Sequence, residues 1–364
     1  MNHNRPRLIA FYLPQFYPTK ENDEWWEKDF TEWTNVRRAK PLFKGHQQPR
    51  VPADLGYYDL RDPEVRERQA ELAREAGIEG FCYWHYWFAG RRLLDRVFTE
   101  VVESGKPDFP FCLCWANHSW YRKTWDPKMP DKLLIEQTYP GEQDYIDHFY
   151  AMLPAFKDDR YIKVNGKLLF GIFDPLNLGK ENFETFRRIW NDLAEKNHLP
   201  GFYFFAYSTR IGRIHEIKAF GYDHIVFDYL RELFRRTSLL AKYWRRLIRI
   251  FVEKPDKIYS YGVYVDIAKK TYSSQPDVFP CLLPNFDHSP RSKKRGFILY
   301  NDSPERWKGL CQSIFRMSSS KDKEENLVFI KSWNEWGEGN YLEPDARYGK
   351  QFILKTKEAM NSDN

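Results

Sequence analysis

The sequence predicts a single (β/α)8 barrel with extended loops, and two observations carry that prediction. Eight short and nearly continuous apolar runs alternate with helical patterns, which is typical of parallel strands buried on both faces. Eight strands close a barrel, and 364 residues accommodate its usual core of roughly 250 residues with insertions. An open doubly wound sheet is the alternative, but it would normally show a glycine-rich phosphate loop, and LPQFYPTKEND follows the first run instead.

Each run has the length and composition of a buried strand. The second run follows the helical pattern PEVRERQAELAREAG, in which Gly77 is a natural helix stop. The others lie between polar or aromatic loops and further helical stretches. In chain order the eight runs cover residues 7–15, 78–85, 109–117, 167–174, 201–207, 224–229, 278–284 and 326–331.

Composition and charge narrow the class of protein. Aromatic residues make up 18% of the chain and include 13 Trp, which indicates either a Trp-rich core or a cleft that stacks flat ligands such as sugar rings. The net charge of +6 is too small to imply nucleic-acid binding. Five cysteines without a CxxC pair favour free thiols in a reducing compartment. With no apolar segment long enough for a signal peptide or a membrane span, we expect a cytoplasmic protein.

Polar and aromatic side chains follow the predicted strands. Active sites of this fold lie at the carboxyl ends of the strands, so these side chains are candidates for binding hydroxyls and stacking on sugar rings. Any one of them could instead be a helix cap or an amphipathic aromatic at the surface. The candidate substrate-binding residues are Gln15, His85, Tyr86, Trp87, Trp115, Asn117, His118, Trp120, Asp174, Tyr207, Asp228, Asp287, Arg291, Trp333, Asn334, Trp336 and Glu343.

Two glutamates directly after the eighth run are the candidate catalytic residues. Glu335 and Glu338 are three positions apart with Gly337 and Gly339 beside them, so a helical turn or a tight loop can point both carboxylates the same way. Neighbouring carboxylates in an apolar pocket differ in pKa, which provides the acid and the base of glycosidic-bond chemistry. The alternative is that they only cap a helix. The sequence predicts no metal site and no cofactor, since no DxD motif ends a strand.

A basic stretch between the sixth and seventh runs has no place in a minimal barrel. Residues 231–257 form this predicted insertion, and within 231–254 apolar pairs recur every four residues opposite a row of Lys and Arg. An amphipathic helix can simply cover the barrel. Its cations also suit an anionic membrane surface or a lipid diphosphate, so a peripheral contact with the inner membrane is the second interpretation. Arg291 and its basic neighbours after the seventh run could hold a phosphate.

Six motifs spread from the first run to the last are distinctive in length and order: FYLPQFYP, FTEWTNV, LGYYDLRDPEV, GFCYWHYWF, WANHSW and KSWNEWGEGNYLEPD. They resemble the WbsX-type glycosyltransferase family of polysaccharide and O-antigen gene clusters, over essentially the whole chain. WNEWGEG also resembles the WNEWHEG element of glycoside hydrolase family 99, the (β/α)8 endo-α-mannosidases and endo-α-mannanases.

The resemblance to the hydrolases implies retention without a glycosyl-enzyme ester. In that family one glutamate removes the proton of the substrate's own 2-hydroxyl, which attacks the anomeric carbon, and the other protonates the leaving oxygen. By position, Glu335 resembles the base and Glu338 the general acid/base. The sequence departs from the pattern at Gly337, where the hydrolases have His, and at His118, where many WbsX-type proteins have Glu. Both departures affect substrate contacts.

Three functions remain open from the sequence. The first is a carbohydrate-active enzyme that forms or remodels glycosidic bonds in a bacterial surface polysaccharide such as the O-antigen of lipopolysaccharide. The second is an endo-α-mannosidase-like hydrolase of the family-99 type, and the third is an inactive sugar-binding module. The expected partner is an oligosaccharide or a lipid-linked sugar, and no nucleic acid.

Overall fold

Eight parallel strands close on themselves in the computed structural model, which describes residues 4–122, 131–236, 255 and 257–362. The strands are β1 (Arg7–Tyr12), β2 (Gly80–Phe88), β3 (Phe111–Trp115), β4 (Lys167–Ile172), β5 (Phe202–Ser208), β6 (His224–Asp228), β7 (Phe279–Leu282) and β8 (Leu327–Ile330). Each strand pairs in parallel with the next, and β1 also pairs with β8, with Arg7 opposite Leu327. All eight predicted runs and the (β/α)8 barrel are therefore confirmed.

A helix of the outer layer follows each strand in the described part of the chain. The helices are α1 (Pro63–Ala76), α2 (Arg96–Ser104), α3 (Glu142–Phe156), α4 (Lys180–Lys196), α5 (Ile214–Lys218), α6 (Tyr261–Ser274), α7 (Pro304–Ser318) and α8 (Gln351–Asn361). Local sequence explains the bounds of α1: Asp62 caps its first turn, Pro63 occupies the first helical position, and Gly77 ends it with φ of 84°.

Shorter elements lie mostly in the loops between the strands and these helices. The short α-helices are Lys20–Trp25, Glu32–Arg38, Pro175–Leu178, Leu230–Arg236 and Ser289–Ser292, and the 3₁₀ turns are Ile211–Arg213, Lys293–Arg295 and Trp336–Glu338. The short strands are Arg91–Leu93, Trp120–Arg122, Lys132–Ile135, Lys163–Val164, Ile258–Ser260, Ile298–Tyr300, Asn334–Glu335 and Asn340–Tyr341.

Aromatic side chains fill both layers of the core. Between neighbouring strands, the rings of Phe11 and Trp84 stack with their centroids 4.5 Å apart. Between barrel and helices, Trp190 of α4 packs on Phe170 and donates its indole N–H to the carbonyl of Tyr145. The fully buried tryptophans include Trp115, Trp190, Trp307, Trp333 and Trp336. The tryptophan content therefore serves the core, and other indoles remain for the cavity described below.

The structure describes all of the cysteines but little of the basic insertion. All five cysteines are free and buried, as predicted. Of the predicted insertion at 231–257, the structure describes residues 231–236, 255 and 257, so the rest of the amphipathic stretch and its predicted membrane contact lie outside the described residues. In the described part of the chain, no helix is long and apolar enough to cross a membrane.

Candidate active site

A cavity of about 640 Å³ opens at the carboxyl ends of the barrel strands. Its walls combine carboxylates, cations and aromatic rings, as a sugar-binding site requires. Seven of the predicted site residues line it: Gln15, Tyr86, His118, Trp120, Arg291, Glu335 and Glu338. Further walls come from Trp26, Trp84 and Phe173, which the sequence did not single out.

The two glutamates sit on a tight turn that follows β8. Asn334–Glu335 is a short strand paired with Asn340–Tyr341, and Trp336–Glu338 between them is a 3₁₀ turn. Gly339 completes the turn with φ of 52°, and a Cβ there would lie 2.8 Å from Cβ of Asp287. A side chain at 339 would therefore be strained and crowded. The turn brings both carboxylates to the cavity wall.

Cations surround the two glutamates unevenly. Nη1 of Arg291 lies 2.7 Å from Oε1 of Glu338 and 3.4 Å from Oε1 of Glu335. Nζ of Lys331 lies 3.5 Å from Oε2 of Glu338, and Nε2 of His288 lies 3.8 Å from its Oε1. By contrast, Oε2 of Glu335 accepts a hydrogen bond of 3.2 Å from the neutral Ser332 hydroxyl. Glu338 therefore has the larger share of positive charge.

This asymmetry separates the two acids in pKa. Burial, and then the charge of Glu338, raises the pKa of Glu335 to about 7. Burial also raises the pKa of Glu338, but Lys331 and Arg291 outweigh it, and the pKa falls below its ordinary value. Near neutral pH, Glu338 is the carboxylate and Glu335 is the group that can hold a proton. That combination supplies one base and one acid in the same cavity.

Glu32 and Lys331 are site residues that sequence reasoning did not commit to. Glu32 is only 3% exposed, lines the cavity, and accepts a hydrogen bond of 2.9 Å from Nη2 of Arg291. Lys331 directly follows β8 and lies beside Glu338. A signal existed for both, since Glu32 belongs to the motif FTEWTNV and Lys331 is the first residue of the motif KSWNEWGEGNYLEPD, which contains the two glutamates.

Of the predicted residues on and after β2 and β3, Tyr86, His118 and Trp120 line the cavity, whereas His85, Trp87 and Trp115 do not. Nε2 of His85 lies 2.7 Å from Nε2 of His148 on α3. The indole of Trp87 donates to Asp144 of the same helix at 3.0 Å, and the indole of Trp115 donates to the carbonyl of Trp87. These side chains join the barrel to α3, where they satisfy buried polar groups.

The residues at the ends of β4, β5 and β6 also bond to protein partners. Asn117 donates to the carbonyl of Asp174, and Asp174 caps the helix that starts at Pro175 by accepting from the backbone N–H of Asn177. The hydroxyl of Tyr207 donates to the buried carboxylate of Asp228 at 2.6 Å. These contacts hold the loops around the cavity.

After β7 and β8, the predicted residues Asp287 and Asn334 bond to neighbouring segments and so support the turn that carries the two glutamates. Asp287 accepts from the side-chain amide of Gln48 at 2.6 Å and lies 2.8 Å from Nε2 of His46. Asn334 accepts from the backbone N–H of Leu13 at 2.8 Å and donates to its carbonyl at 3.1 Å. Asn334 thus ties the turn to the end of β1.

Glu343 lies in a buried hydrogen-bond network and not in the cavity wall. Its carboxylate accepts from the hydroxyl of Tyr58 at 2.9 Å, from the side-chain amide of Gln69 at 2.6 Å and from the indole of Trp336 at 2.6 Å. Trp333, the other predicted residue here, is fully buried. Burial raises the pKa of Glu343 from 4.5 to about 7, although these donors oppose the rise.

The raised pKa of Glu343 predicts a pH-dependent contribution to stability. Between about pH 4.5 and 7 the folded protein retains a proton that the unfolded chain releases, so this carboxyl makes the free energy of unfolding fall as pH rises. Glu343→Gln removes that dependence. We expect the free energy of unfolding of the unmutated protein, relative to the variant, to fall by roughly 3 kcal/mol between pH 4.5 and 7.5.

Urea unfolding of both proteins at a series of pH values measures this difference. Glu335 and the other titrating groups are common to both proteins and cancel. Glu103→Gln, at an exposed position of α2, is the control and should show no pH-dependent difference. A constant difference between the unmutated protein and Glu343→Gln across the range would mean that the three donors keep Glu343 ionised.

A family of carbohydrate-active enzymes matches this chain, in keeping with its barrel fold and its polar, aromatic cavity. The chain belongs to the Glycosyltransferase WbsX family, whose model matches residues 8–356. It is 35% identical over 369 aligned positions to the uncharacterized protein WxcX of Xanthomonas campestris pv. campestris (strain B100), covering 97% of this chain and 49% of that protein. The chain thus spans about half the length of the curated relatives it matches.

Solved structures confirm the likeness in fold. A glycoside hydrolase-like protein aligns over 99% of this chain and 95% of its own, with a TM-score of 0.61 and 13% identity. The GH99 endo-alpha-mannosidase from Bacteroides thetaiotaomicron aligns over 98% of this chain and 96% of its own, with a TM-score of 0.58 and 12% identity. At these identities the likeness concerns the fold.

Among the described residues, no group of three or more His, Cys, Asp or Glu is arranged to hold a metal ion.

Proposed function

We propose that this chain forms or remodels glycosidic bonds during assembly of a bacterial surface polysaccharide such as an O-antigen, with Glu335 and Glu338 as its catalytic pair. The observation that carries the proposal is the shared cavity in which two buried carboxyl groups have unequal cationic surroundings, which drive their pKa values apart. Membership of the WbsX family supports transfer between sugars. The substrate is an oligosaccharide or a lipid-linked sugar.

The spacing of the two carboxyl groups supports retention of configuration. The same Nη1 of Arg291 lies 3.4 Å from Oε1 of Glu335 and 2.7 Å from Oε1 of Glu338, so these oxygens are at most about 6 Å apart. Inverting glycosidases keep their carboxyl groups roughly 6.5–9.5 Å apart to leave room for a water molecule. A shorter separation suits a mechanism in which the attacking group belongs to the enzyme or to the substrate.

The chemistry is a double displacement in which the sugar supplies its own nucleophile. The carboxylate of Glu338 takes the proton of the 2-hydroxyl, O2 bonds to C1, and the C1–oxygen bond to the leaving group breaks as that oxygen takes the proton of Glu335. In the second step an acceptor hydroxyl gives its proton to Glu335 and bonds to C1, while O2 leaves C1 and recovers its proton from Glu338. The sugar must carry its 2-hydroxyl trans to the leaving group, as an α-mannoside does.

These roles exchange the ones that the sequence resemblance implies. A base at Glu335 would have to be ionised and an acid at Glu338 protonated, whereas the charges around them favour the opposite. We therefore assign the acid to Glu335 and the base to Glu338. Hydrolysis is the second candidate function, because water in place of the acceptor hydroxyl completes the same two steps.

A screen of donors and acceptors by mass spectrometry tests the proposed function. The purified protein is mixed with nucleotide sugars, polyprenyl-phosphate sugars and α-mannan oligosaccharides, and Glu338→Gln is the matched control. Elongated products that depend on Glu338 would support transfer. Shortened oligosaccharides would establish hydrolysis and overturn the role in polysaccharide assembly. Binding of a sugar without any change in bonds would identify a sugar-binding module.

A further inference from the structure

The guanidinium group of Arg291 contacts both Glu32 and the two proposed catalytic acids. Its Nε and Nη2 lie 3.3 and 2.9 Å from Oε2 of Glu32, and only its Nη1 reaches the catalytic acids, Glu338 and Glu335. Because the Glu32 carboxylate holds two of its nitrogens, the planar guanidinium cannot rotate freely. Glu32 therefore determines where Nη1 points.

The space for this contact depends on Gly337. A Cβ at position 337 would overlap Oε2 of Glu32 and lie 2.9 Å from Nε of Arg291. A side chain at 337 and the carboxylate of Glu32 in its present place therefore exclude each other. Gly337, Glu32 and Arg291 thus form one arrangement on the cavity wall, although they come from three different parts of the chain. This arrangement requires that residue 337 have no side chain.

We propose that Glu32 is a positioning residue, which holds Arg291 between the two catalytic acids and so decides that the proton of the pair rests on Glu335 while Glu338 stays charged. Glu32 contacts two nitrogens of the guanidinium and leaves Nη1 closer to Glu338, at 2.7 Å, than to Glu335, at 3.4 Å. This assignment rests on the proposed catalytic role of the pair. The other charged or titratable groups that face the pair are Tyr86, Tyr207, His288 and Lys331.

Glu32→Gln is the direct test, because it keeps the size of the side chain and removes its charge. The guanidinium then acts on the two acids without its counter-charge, so the proton on Glu335 becomes less stable. We expect the titration midpoint of Glu335 to fall by about one pH unit. NMR titration of protein with ¹³C-labelled glutamate carboxyl groups measures it, with the signal of Glu335 assigned by its loss in Glu335→Gln. The measurement needs no substrate.

Glu79→Gln is the matched control. Glu79 is half-buried and accepts from an arginine, Arg7, at 2.6 Å, as Glu32 accepts from Arg291, but it lies at the opposite end of the barrel. It should leave the midpoint of Glu335 unchanged. An unchanged midpoint in Glu32→Gln, or an equal shift in Glu79→Gln, would overturn the proposal.

A second pair of variants tests the space around Gly337 by thermal unfolding. Gly337→Ala should lower Tm and shift the Glu335 midpoint in the same direction as Glu32→Gln, because the new methyl group displaces the Glu32 carboxylate. In a Glu32→Ala background, Gly337→Ala should no longer lower Tm. An equal loss of Tm in both backgrounds would overturn the mutual exclusion. If these titrations succeed and the screen yields no bond chemistry, the proposed function falls while the positioning by Glu32 stands.

Discussion

Glu335→Gln and Glu338→Gln are each expected to lower kcat by about a thousandfold, while the affinity for the donor sugar changes little. Glutamine has nearly the shape of the carboxyl group but can neither release nor accept the proton that the two steps require. Initial rates with the donor and acceptor that the screen identifies measure the loss. Glu100→Gln, on α2 and paired with Arg96 at 2.7 Å, is the control and should leave kcat unchanged.

The leaving group distinguishes the two glutamates. A glycosyl fluoride needs little protonation when it departs, so it bypasses the acid but not the base. With the fluoride of the donor sugar, we expect Glu335→Gln to recover most of the rate of fluoride release in the first step and Glu338→Gln to recover little. The reverse pattern would restore the roles that the sequence resemblance implies, and it would mean that substrate binding moves the proton from Glu335 to Glu338.

The barrel could be predicted because its strands have an unusually direct signature. Strands of a closed parallel sheet are covered on both faces, so β2 and β8 read as unbroken apolar runs. The prediction of a candidate catalytic pair just after β8 then followed from the rule that active sites lie at the carboxyl ends of barrel strands, and both glutamates line the cavity. The glutamates are close together in sequence, so no tertiary information was needed to pair them.

The function of individual residues at the strand ends could not be predicted in the same way. Asn117 and Asn334 follow strands and carry an amide that suits a sugar hydroxyl, yet both bond to the backbone of neighbouring loops. Tyr207 and Asp228 were each predicted to contact substrate, and in the structure they bond to each other. A residue that binds substrate and a residue that bonds to a neighbouring loop can have the same type and the same position after a strand. They differ only in their hydrogen-bond partner.

Glu32 shows the other limit of sequence reasoning. It lies about three hundred positions before Glu335, and its partner Arg291 comes from the loop after β7. Nothing within FTEWTNV marks one acid as part of a catalytic cavity. The absent side chain at Gly337 is the one local trace of the contact, and its meaning depends on knowing which carboxylate occupies the space.

Asn334→Ala is expected to lower the free energy of unfolding by about 2–6 kcal/mol and to reduce kcat as well. Asn334 is fully buried, and the substitution leaves both the N–H and the carbonyl of buried Leu13 without their partner. Each unsatisfied backbone group costs roughly 1–3 kcal/mol. Because Glu335 is the next residue, loss of this tie also loosens the turn that aims the catalytic acid. Urea unfolding and initial rates measure the two effects.

Asn334→Asp tests whether the two hydrogen bonds to Leu13, and not only the size of the side chain, stabilise the protein. The carboxylate can still accept from the N–H of Leu13, but its second oxygen faces the carbonyl to which the amide now donates. Protonation restores a donor, so the deficit in unfolding free energy should shrink as pH falls toward 4, whereas the deficit of Asn334→Ala should stay constant. The control is Asn182→Ala, which removes one hydrogen bond from a half-buried position on α4. If Asn334→Ala cost no more than that control, the loops after β1 and β8 would hold their positions without Asn334, and the placement of Glu335 would have to come from Ser332 and Arg291 alone.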